Sequence, residues 1–579
     1  MTAQGWLQLA LFGALIVAIT PLLGGYMARV FGGERVLLAR AFGPAERGFY
    51  RLLRVDPASE QDWKGYARAV LAFSFVSWLA LYAILRLQGS LPFNPAGFGA
   101  APWDVTFNTT SSFVTNTNWQ YYAGETTLSN FSQMAGLAVQ NFVSAAVGIA
   151  VAVAVIRGFA QRSVATLGNF WVDLTRCLLY VLLPIAFVAA LLLVSQGVVQ
   201  SLSPAQAFTS IQGAAGQVAL GPIASQEAIK QLGTNGGGFF NVNSAMPFEN
   251  PNGFTNLLEM LLIICIPAAL TATFGRMVGN RRQGWAIFAG MFALLAAAVA
   301  IVYVAEAHGS PAQHLAGIVG SGGNMEGKET RFGLAGSSLF AALTTVTSCG
   351  AVNAAMESLT GLGGAIPMAN MMTGEVVFGG VGSGLASMLL FVLLAVFIAG
   401  LMVGRTPEYL GRKIGAREIK LTMLGTLAVP LLVLVATALS IASKYGMPSI
   451  YNGGPQGFSE TLYAYTSQAN NNGSAFAGYT GFVQPDAPGN HGAFGITFAD
   501  LLGGGAMLAG RFLPILAVLA VAGALAGRPT SPAGPGTMRT DTPTFVVLLV
   551  GTVLLVALLT FVPALLLGPV VQGLTERVF

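Results

Sequence analysis

Four short segments rich in glycine, asparagine and threonine interrupt an otherwise apolar chain and carry groups that could coordinate a cation. They are residues 115–120 (TNTNWQ), 233–240 (GTNGGGFF), 347–353 (TSCGAVN) and 470–476 (NNNGSAF). Aligned on Asn118, Gly236, Gly350 and Gly473, they are 118, 114 and 123 residues apart. A long and regular period indicates a repeated structural unit. Four such segments meeting on one axis would form an ion filter, in which backbone carbonyl oxygens replace the water around the ion.

The residue types in these segments favour a monovalent cation. Successive carbonyl groups can face one axis only in unusual backbone conformations, which glycine tolerates and asparagine tolerates next best. Because the first segment has Asn118 where the others have glycine, the filter cannot be fourfold symmetric. The segments contain no Asp or Glu, whereas divalent ions prefer charged oxygen ligands. A single cluster of this kind is usually a turn, but four at near-equal intervals favour the filter.

The composition is that of an integral membrane protein. Of 579 residues, 54% are hydrophobic and only 9% are charged, whereas soluble domains carry about 25% charged residues. A membrane-spanning helix needs about 20 mostly apolar residues. The sequence predicts ten spans, at 6–29, 66–87, 131–156, 170–196, 254–275, 284–306, 374–403, 419–443, 498–526 and 543–567.

Spans 2 to 9 form four pairs, and each pair brackets one polar segment. The stretches just before the segments (103–114, 224–232, 334–346 and 458–469) are too short to span, which is typical of re-entrant pore helices. The prediction is an all-α polytopic membrane protein with four pseudo-repeats of helix, pore helix, filter and helix around one central pore. The predicted parts are an extra helix at 1–30, repeats at 64–157, 168–278, 284–405 and 417–528, and a last helix at 540–579.

The distribution of basic residues predicts the orientation in the membrane. The loops after the odd-numbered spans hold 20 of the 28 Lys and Arg residues. Loops rich in Lys and Arg stay in the cytoplasm. We therefore expect both termini on the extracytoplasmic side and all four polar segments to enter from that side.

Two features beyond the filter could control the exit of the ion. Glu375 is predicted to begin span 7 and precedes a glycine-rich stretch, which should break the helix below the third segment. This stretch, with Gly379, Gly380, Gly382 and Gly384, is either a gate or a site of close helix packing. Arg511 lies inside span 9. It is expected to be a fixed positive charge near the pore exit or a partner of Glu375, with extension of its side chain to the membrane surface as the alternative.

No catalytic constellation is evident. Residues 322–330 (GGNMEGKET) look like a phosphate-binding loop but lack Ser or Thr directly after Lys328. The sequence has no Asp-Lys-Thr-Gly-Thr phosphorylation motif, and its three histidines, His308, His314 and His491, lack the spacing of metal ligands. We therefore predict that the chain hydrolyses nothing and binds no nucleotide.

The four segments, together with GNMEGKE at 323–329, resemble the KdpA family over essentially the whole chain. Members of that family are the potassium-binding subunits of bacterial Kdp potassium-transporting ATPases, and their fold is related to that of the Trk and Ktr potassium transporters and to potassium channels. The resemblance implies a filter for K⁺ and a position for Gln120 just behind the first filter segment. The implied filter residues are Asn116, Thr117, Asn118, Thr234, Asn235, Gly236, Ser348, Cys349, Gly350, Asn471, Asn472 and Gly473.

The same resemblance implies a complex in the bacterial inner membrane. The chain would bind K⁺ from the extracytoplasmic side and pass it through an intersubunit tunnel to KdpB, a P-type ATPase subunit. KdpC and the small KdpF would assist. The alternative is a stand-alone potassium channel or an ion-coupled potassium transporter of the Trk or Ktr type.

Overall fold

The computed structural model describes residues 1–36, 38–161, 164–317, 322–404, 406–481, 494–530 and 537–575. Within these residues ten helices are long and apolar enough to cross a membrane, which confirms the predicted number. They are Ala3–Phe31, Trp63–Ser90, Ser132–Ala160, Phe170–Ser195, Gly253–Met277, Arg281–Leu315, Ser383–Val403, Ala416–Ala442, Phe498–Ala526 and Pro543–Leu574.

Four shorter helices each precede one of the polar segments, as predicted for pore helices. They are Trp103–Val114, Ile223–Leu232, Gly333–Val346 and Gly454–Ala469. All four end at the predicted residue, and the first also begins there. At 10 to 16 residues they are too short to cross a bilayer, so each enters the protein and the chain returns.

The spanning helices form an inner and an outer layer. The third, fifth, seventh and ninth spans are the second spanning helices of their units. In each, 56% or more of the residues in the most apolar 18-residue stretch are buried inside the protein. The other six spans have 50% or less buried, and the first and last have 22% and 28%. The inner layer therefore surrounds the pore helices, and the outer layer presents its apolar side chains to lipid.

Small residues allow the helices to pack closely. Gly24 of the first span lies so near the fifth that an added Cβ would be 2.5 Å from the carbonyl oxygen of Ala269. Thr273 in the same contact donates a 3.1 Å hydrogen bond to the carbonyl of Gly24. Gly158 of the third span packs in the same way on Ala522 of the ninth. Such close contacts drive helix association in a membrane, because the hydrophobic effect does not favour helix–helix contact over contact with lipid.

The second spanning segment of the third unit is broken, and the predicted start of span 7 is wrong. The chain forms a helix at Gly361–Met372 and a second helix at Ser383–Val403, with non-helical residues between them. Glu375 therefore lies in the interruption and does not begin a helix. Glu375 and Phe378 have positive φ angles of 60° and 58°, as have Gly379 and Gly382 at 53° and 92°, and such residues cannot continue an α-helix.

The remaining elements lie in the connections. They comprise short helices at Ala39–Leu52, Gly124–Thr127 and Pro311–Leu315, and single turns at Asn243–Ala245, Met356–Ser358 and Met447–Ser449. Strand Gln206–Thr209 pairs antiparallel with Ala215–Val218, and Glu408–Tyr409 pairs antiparallel with Arg412–Lys413. Of these elements, the turn at Asn243–Ala245 contacts the second polar segment, because the amide of Asn243 donates to the carbonyl of Gly236.

Candidate ion-filter site

All four pore helices end in the same capping motif. In each, a residue with positive φ follows the C-cap, and the next residue donates its N–H to the carbonyl five positions back at 2.8 to 2.9 Å. The donor and acceptor pairs are Thr117 to Ser112, Asn235 to Lys230, Cys349 to Thr344, and Asn472 to Ser467. This is the Schellman arrangement, which satisfies a carbonyl at the helix end while the chain reverses. The four units predicted from the spacing of the polar segments therefore share the same hydrogen bond at the end of the pore helix.

The backbone alternates in handedness through each segment. The first left-handed residues are Asn116, Thr234, Ser348 and Asn471, with φ between 47° and 69°. The second set, two residues later, is Asn118, Gly236, Gly350 and Gly473, with φ between 57° and 106°. Alternating handedness turns successive carbonyl groups toward one side of the strand, which an ion-coordinating backbone needs. Positive φ at the β-branched Thr234 is strained, and such strain persists only where the surroundings impose it.

The glycines show that the segments meet. A Cβ added at Gly236 would lie well inside 3.0 Å of the carbonyl oxygen of Cys349, and one at Gly350 would similarly overlap the carbonyl oxygen of Asn472. One at Gly473 would overlap the carbonyl oxygen of Thr117. The second segment thus lies against the third, the third against the fourth, and the fourth against the first.

Contacts between the first and second segments close the ring. A Cβ added at Gly237 would lie 2.8 Å from Cβ of Asn118 and 2.9 Å from its carbonyl oxygen. The Asn235 amide donates to Oδ1 of Asn116 at 2.6 Å, and the Asn116 amide donates to the carbonyl of Thr234 at 2.9 Å. The four segments therefore surround one common centre.

Side chains of the fourth segment reach both neighbours. The Asn471 amide donates to Oγ1 of Thr117 at 2.9 Å, and the Asn472 amide donates to the carbonyl of Thr344 at 2.9 Å. In return, the hydroxyl of Ser348 donates to the carbonyl of Asn470 at 3.3 Å. These bonds use neutral amides and hydroxyls, so they fix the segments without adding charge.

The structure brings together all twelve residues predicted for the filter. Eleven of them are buried, and Gly473 is partly exposed. Cys349 is a buried free thiol whose Sγ lies 3.7 Å from Oε1 of Gln231. Its side chain thus faces the supporting pore helix, while its backbone lies in the ring.

Gln120 lies behind the first segment but contacts the second. Its Oε1 accepts the backbone N–H of Gly238 at 3.1 Å. Gly238 follows the aligned Gly236 by two residues, so Gln120 braces the second strand from the first unit. The sequence position alone does not show which strand it contacts.

The interruption in the third unit lies directly beneath the ring. The backbone N–H of Val381 donates to Oγ1 of Thr234 at 2.8 Å, at the deep end where the pore helix stops. The Ser383 hydroxyl donates to Glu375 at 2.5 Å. A Cβ at Gly382 would overlap the carbonyl of Gly148 in the third span. The stretch therefore lies between the second polar segment and an inner helix, and Gly382 allows close packing there.

Arg511 is buried inside the protein, with 5% of its surface exposed. Glu375 and Arg511 line one small cavity of about 50 Å³, which also touches Asn470 and Asn471 of the fourth segment. The ion pairs found in the described part of the chain do not include one between them.

A pair of carboxyl groups supports the turn after the fourth segment. Glu357 accepts the backbone N–H of Gly478 at 2.8 Å, and a Cβ at Gly478 would overlap the carboxyl of Glu460. Asn452 donates to Glu460 at 2.5 Å. Burial raises the pKa of Glu460 to about 7, and the neighbouring Glu357 adds to the rise.

The lysine of the segment that resembles a phosphate-binding loop forms a buried ion pair. Nζ of Lys328 lies 2.8 Å from Glu306, and both side chains are fully buried. His308 and His314 make hydrogen bonds to backbone carbonyls, and His491 lies outside the described residues. Lys230 was not among the predicted site residues, although it is buried inside the second pore helix. Lys230 lies six residues before Gly236, where the other units have Ser or Thr. This difference is the feature of the sequence that distinguishes it.

Comparison with known proteins gives consistent matches over the whole chain. The family model described as "Potassium-transporting ATPase A subunit" matches residues 10–574. The chain is 56% identical to the potassium-transporting ATPase potassium-binding subunit of Mesorhizobium japonicum, over 99% of both chains. It is 55% identical to the protein of the same name from Brucella anthropi, again over 99% of both.

A solved structure shares the fold. The potassium transporter TrkH from Vibrio parahaemolyticus aligns with a TM-score of 0.52 at 14% sequence identity, covering 87% of this chain and 96% of that one. At this identity the likeness concerns the arrangement of helices alone.

Proposed function

The chain belongs to the potassium-transporting ATPase A subunit family, and from this premise we propose that its four segments select K⁺ and that the ion then passes to an ATPase partner. It is the non-catalytic, potassium-binding subunit of a Kdp potassium-transporting ATPase. The observation that carries the filter assignment is the closed ring in which each segment touches the next. A carbonyl-lined ring without carboxylates suits an alkali cation that must both bind and leave.

The proposed direction of transport is inward from the extracytoplasmic side. The positive-inside distribution of Lys and Arg supports this orientation, with both termini outside. After the filter the ion meets the interruption with Gly379, Gly380, Gly382 and Gly384, which acts as a gate. The cavity containing Glu375 and Arg511 then leads toward the exit. The fixed positive charge of Arg511 would keep a cation from resting there.

The proposed partners are the ATPase subunit KdpB, which hydrolyses ATP, together with KdpC and KdpF. The chain itself binds no nucleotide, and the assembly resides in the bacterial inner membrane. Names of relatives that denote a subunit of an ATPase support a complex of this kind. The handover of K⁺ to the partner is the part of the proposal that needs reconstitution to test.

Replacing Gly236 by Asp tests the filter assignment. The variant would place a carboxylate where the structure has only room for hydrogen, so we expect K⁺ affinity or selectivity to fall at least 10-fold. The measurement is K⁺ uptake against external concentration in a strain without other potassium transporters. Gly279→Asp is the control, since Gly279 also has positive φ but nothing within 4 Å of its missing Cβ. Unchanged K⁺ kinetics in Gly236→Asp would contradict the assignment.

The alternative is a stand-alone channel or an ion-coupled transporter. The observation that favours it is the fold shared with the potassium transporter TrkH. Reconstitution into K⁺-loaded liposomes separates the two. If the chain works as a subunit, net uptake against a gradient requires both ATP and the ATPase partner. Sustained, ion-selective flux through the chain alone would favour the alternative.

A further inference from the structure

One position in each pore helix supports the filter strand that follows it. It lies six residues before the aligned residue, and its occupants are Ser112, Lys230, Thr344 and Ser467. The hydroxyl of Ser112 donates to the carbonyl of Trp119 at 3.0 Å, and the hydroxyl of Ser467 accepts the N–H of Gly473 at 2.9 Å. The first and fourth units therefore brace their filter strands directly from this position. The second unit has a lysine there instead.

Lys230 is fully buried, and three oxygen atoms surround its ammonium group. They are Oε2 of Glu227 at 2.6 Å, Oδ1 of Asn243 at 2.8 Å and Oε2 of Glu249 at 2.9 Å. All three N–H donors of the ammonium can thus be used. The two carboxylates compensate the charge, which a buried ammonium requires.

Asn243 connects this ammonium to the filter. Its amide nitrogen donates to the carbonyl of Gly236 at 2.6 Å, while its Oδ1 accepts from Lys230. Asn243 has a φ of 56°, a left-handed conformation that asparagine tolerates. An amide whose oxygen is bound to a cation is a stronger donor, because hydrogen bonds in a chain polarise one another.

Gly238 leaves the space that this arrangement needs. A Cβ at Gly238 would lie 2.7 Å from Nζ of Lys230 and 3.1 Å from the amide nitrogen of Asn243. The opposite side of the same strand is held by Gln120. The second filter strand is therefore fixed from two sides.

We infer that Lys230 and Asn243 are positioning residues that fix the carbonyl of Gly236 and thereby set the size of cation that the filter accepts. The inference rests on the proposed function of the four segments. A carbonyl held by a short hydrogen bond cannot turn toward or away from an ion. The ring then keeps one size, and a larger cation such as Rb⁺ is disfavoured against K⁺.

Two substitutions of Asn243 test the relay. Asn243→Leu removes both hydrogen bonds, and Asn243→Asp keeps the acceptor for Lys230 but loses the donor to Gly236. Each variant is expressed with wild-type partners, and ATP-driven uptake is measured for K⁺ and Rb⁺ separately. We expect the half-saturating K⁺ concentration to rise about 10-fold and the preference for K⁺ over Rb⁺ to fall about 10-fold. The maximal rate should stay within about twofold of wild type.

A matched pair of double variants separates positioning from general stability. Lys230→Gln with Glu249→Gln removes the buried ammonium and one of its two carboxylate partners, so the local net charge is unchanged and Glu227 keeps its hydrogen bonds from Gln231 and Ser244. Lys328→Gln with Glu306→Gln removes a buried Lys–Glu pair at 2.8 Å elsewhere. Both should lower the unfolding temperature. Only the first is expected to change the ratio of K⁺ to Rb⁺ affinity.

The ratio of K⁺ to Rb⁺ affinity in these variants distinguishes a positioning role from a general effect on stability. A wild-type K⁺ to Rb⁺ ratio in an assembled Asn243→Leu complex would overturn the inference, as would equal ratio changes in the two double variants. If Asn243→Leu fails to assemble, the ratio in Asn243→Asp decides. A wild-type complex that shows no ATP-driven K⁺ uptake, or that takes up Na⁺ as readily as K⁺, would instead refute the proposed function, whatever the variants do.

Discussion

Replacing Gly350 by Ala is the most direct way to disturb the ring without adding charge. Gly350 has a φ of 89°, and its missing Cβ would overlap the carbonyl oxygen of Asn472. Two penalties therefore apply. A left-handed conformation costs an L-residue about 1–2 kcal/mol. In addition, the backbone of the fourth segment must move by about 1 Å to restore a permitted contact, because close packing leaves no free space.

The two penalties act on different quantities. The conformational term lowers the free energy of unfolding by about 1–2 kcal/mol. The displacement instead moves the carbonyl oxygen of Asn472, a predicted filter residue, and removing one preorganised dipole from a charged site costs about 100-fold. We therefore expect the half-saturating K⁺ concentration for uptake to rise about 100-fold. The accompanying loss of thermal stability should be modest.

Gly279→Ala separates these terms. Gly279 has a φ of 73° with nothing within 4 Å of its missing Cβ, so it carries the conformational penalty alone. The assays are thermal unfolding of both variants and K⁺ uptake by the assembled complex. If Gly350→Ala lowers stability as Gly279→Ala does but leaves the half-saturating K⁺ concentration at its wild-type value, the carbonyl of Asn472 does not determine K⁺ affinity.

Three further predictions concern the surroundings of the ring. Gln120→Met removes the acceptor for the N–H of Gly238, so we expect a several-fold rise in half-saturating K⁺ concentration in uptake assays, with little change in expression. Arg511→Met removes the positive charge from the cavity shared with Glu375, which we propose as the exit, so we expect the maximal uptake rate to change more than the half-saturating concentration. For Glu460 the folded pKa of about 7 exceeds the ordinary value of 4.5. The folded state therefore holds the proton longer, and unfolding free energy should fall as pH rises from 4.5 to 7, by about 1 kcal/mol after solvent screening.

Each of these has its own control. Equal losses of expression and affinity in the Gln120 variant would indicate a folding defect and contradict the bracing role. An Arg511 variant that changes only the half-saturating concentration would place the charge at the filter and not at the exit. In thermal unfolding, Glu460→Gln should remove the pH dependence between 4.5 and 7, and an unchanged slope would assign it to other groups.

The sequence was sufficient to predict the four short helices and the aligned residues that meet in the ring. Ten apolar runs interrupted by four short mixed stretches admit few arrangements in a membrane, because backbone groups must be satisfied internally. The stretch predicted at 103–114 is the helix Trp103–Val114. The short helices and the polar segments depend on local composition, so they can be predicted from the sequence.

The first left-handed residue of each unit was not predictable in the same way. Thr234 and Ser348 have φ of 47° and 48°, although neither residue type favours that conformation. Their conformation follows from the Schellman hydrogen bonds at the helix end and from the contacts of the next segment. Tertiary structure imposes it, so residue type does not reveal it.

The interruption at 373–382 was predicted as a weakness but located inaccurately. Hydropathy counts Val376, Val377 and Phe378 as part of a span, because they are apolar and buried. They lie in the non-helical stretch between Gly361–Met372 and Ser383–Val403, however, and not within a continuous helix. Burial without helical backbone is possible here because protein surrounds the segment.

The four units keep one backbone geometry while their supporting side chains differ. Each filter strand begins from the same capping motif, and each touches the next, so a displacement of one strand must be transmitted around the ring. The sequence differences therefore lie in what holds the strands from behind: a serine in the first and fourth units, and the ammonium of Lys230 in the second. Asymmetric supports can hold a nearly regular ring because only the backbone oxygens need to face the ion. It follows that substitutions behind the ring can adjust selectivity gradually, whereas those at Gly236, Gly350 or Gly473 force neighbouring backbone to move.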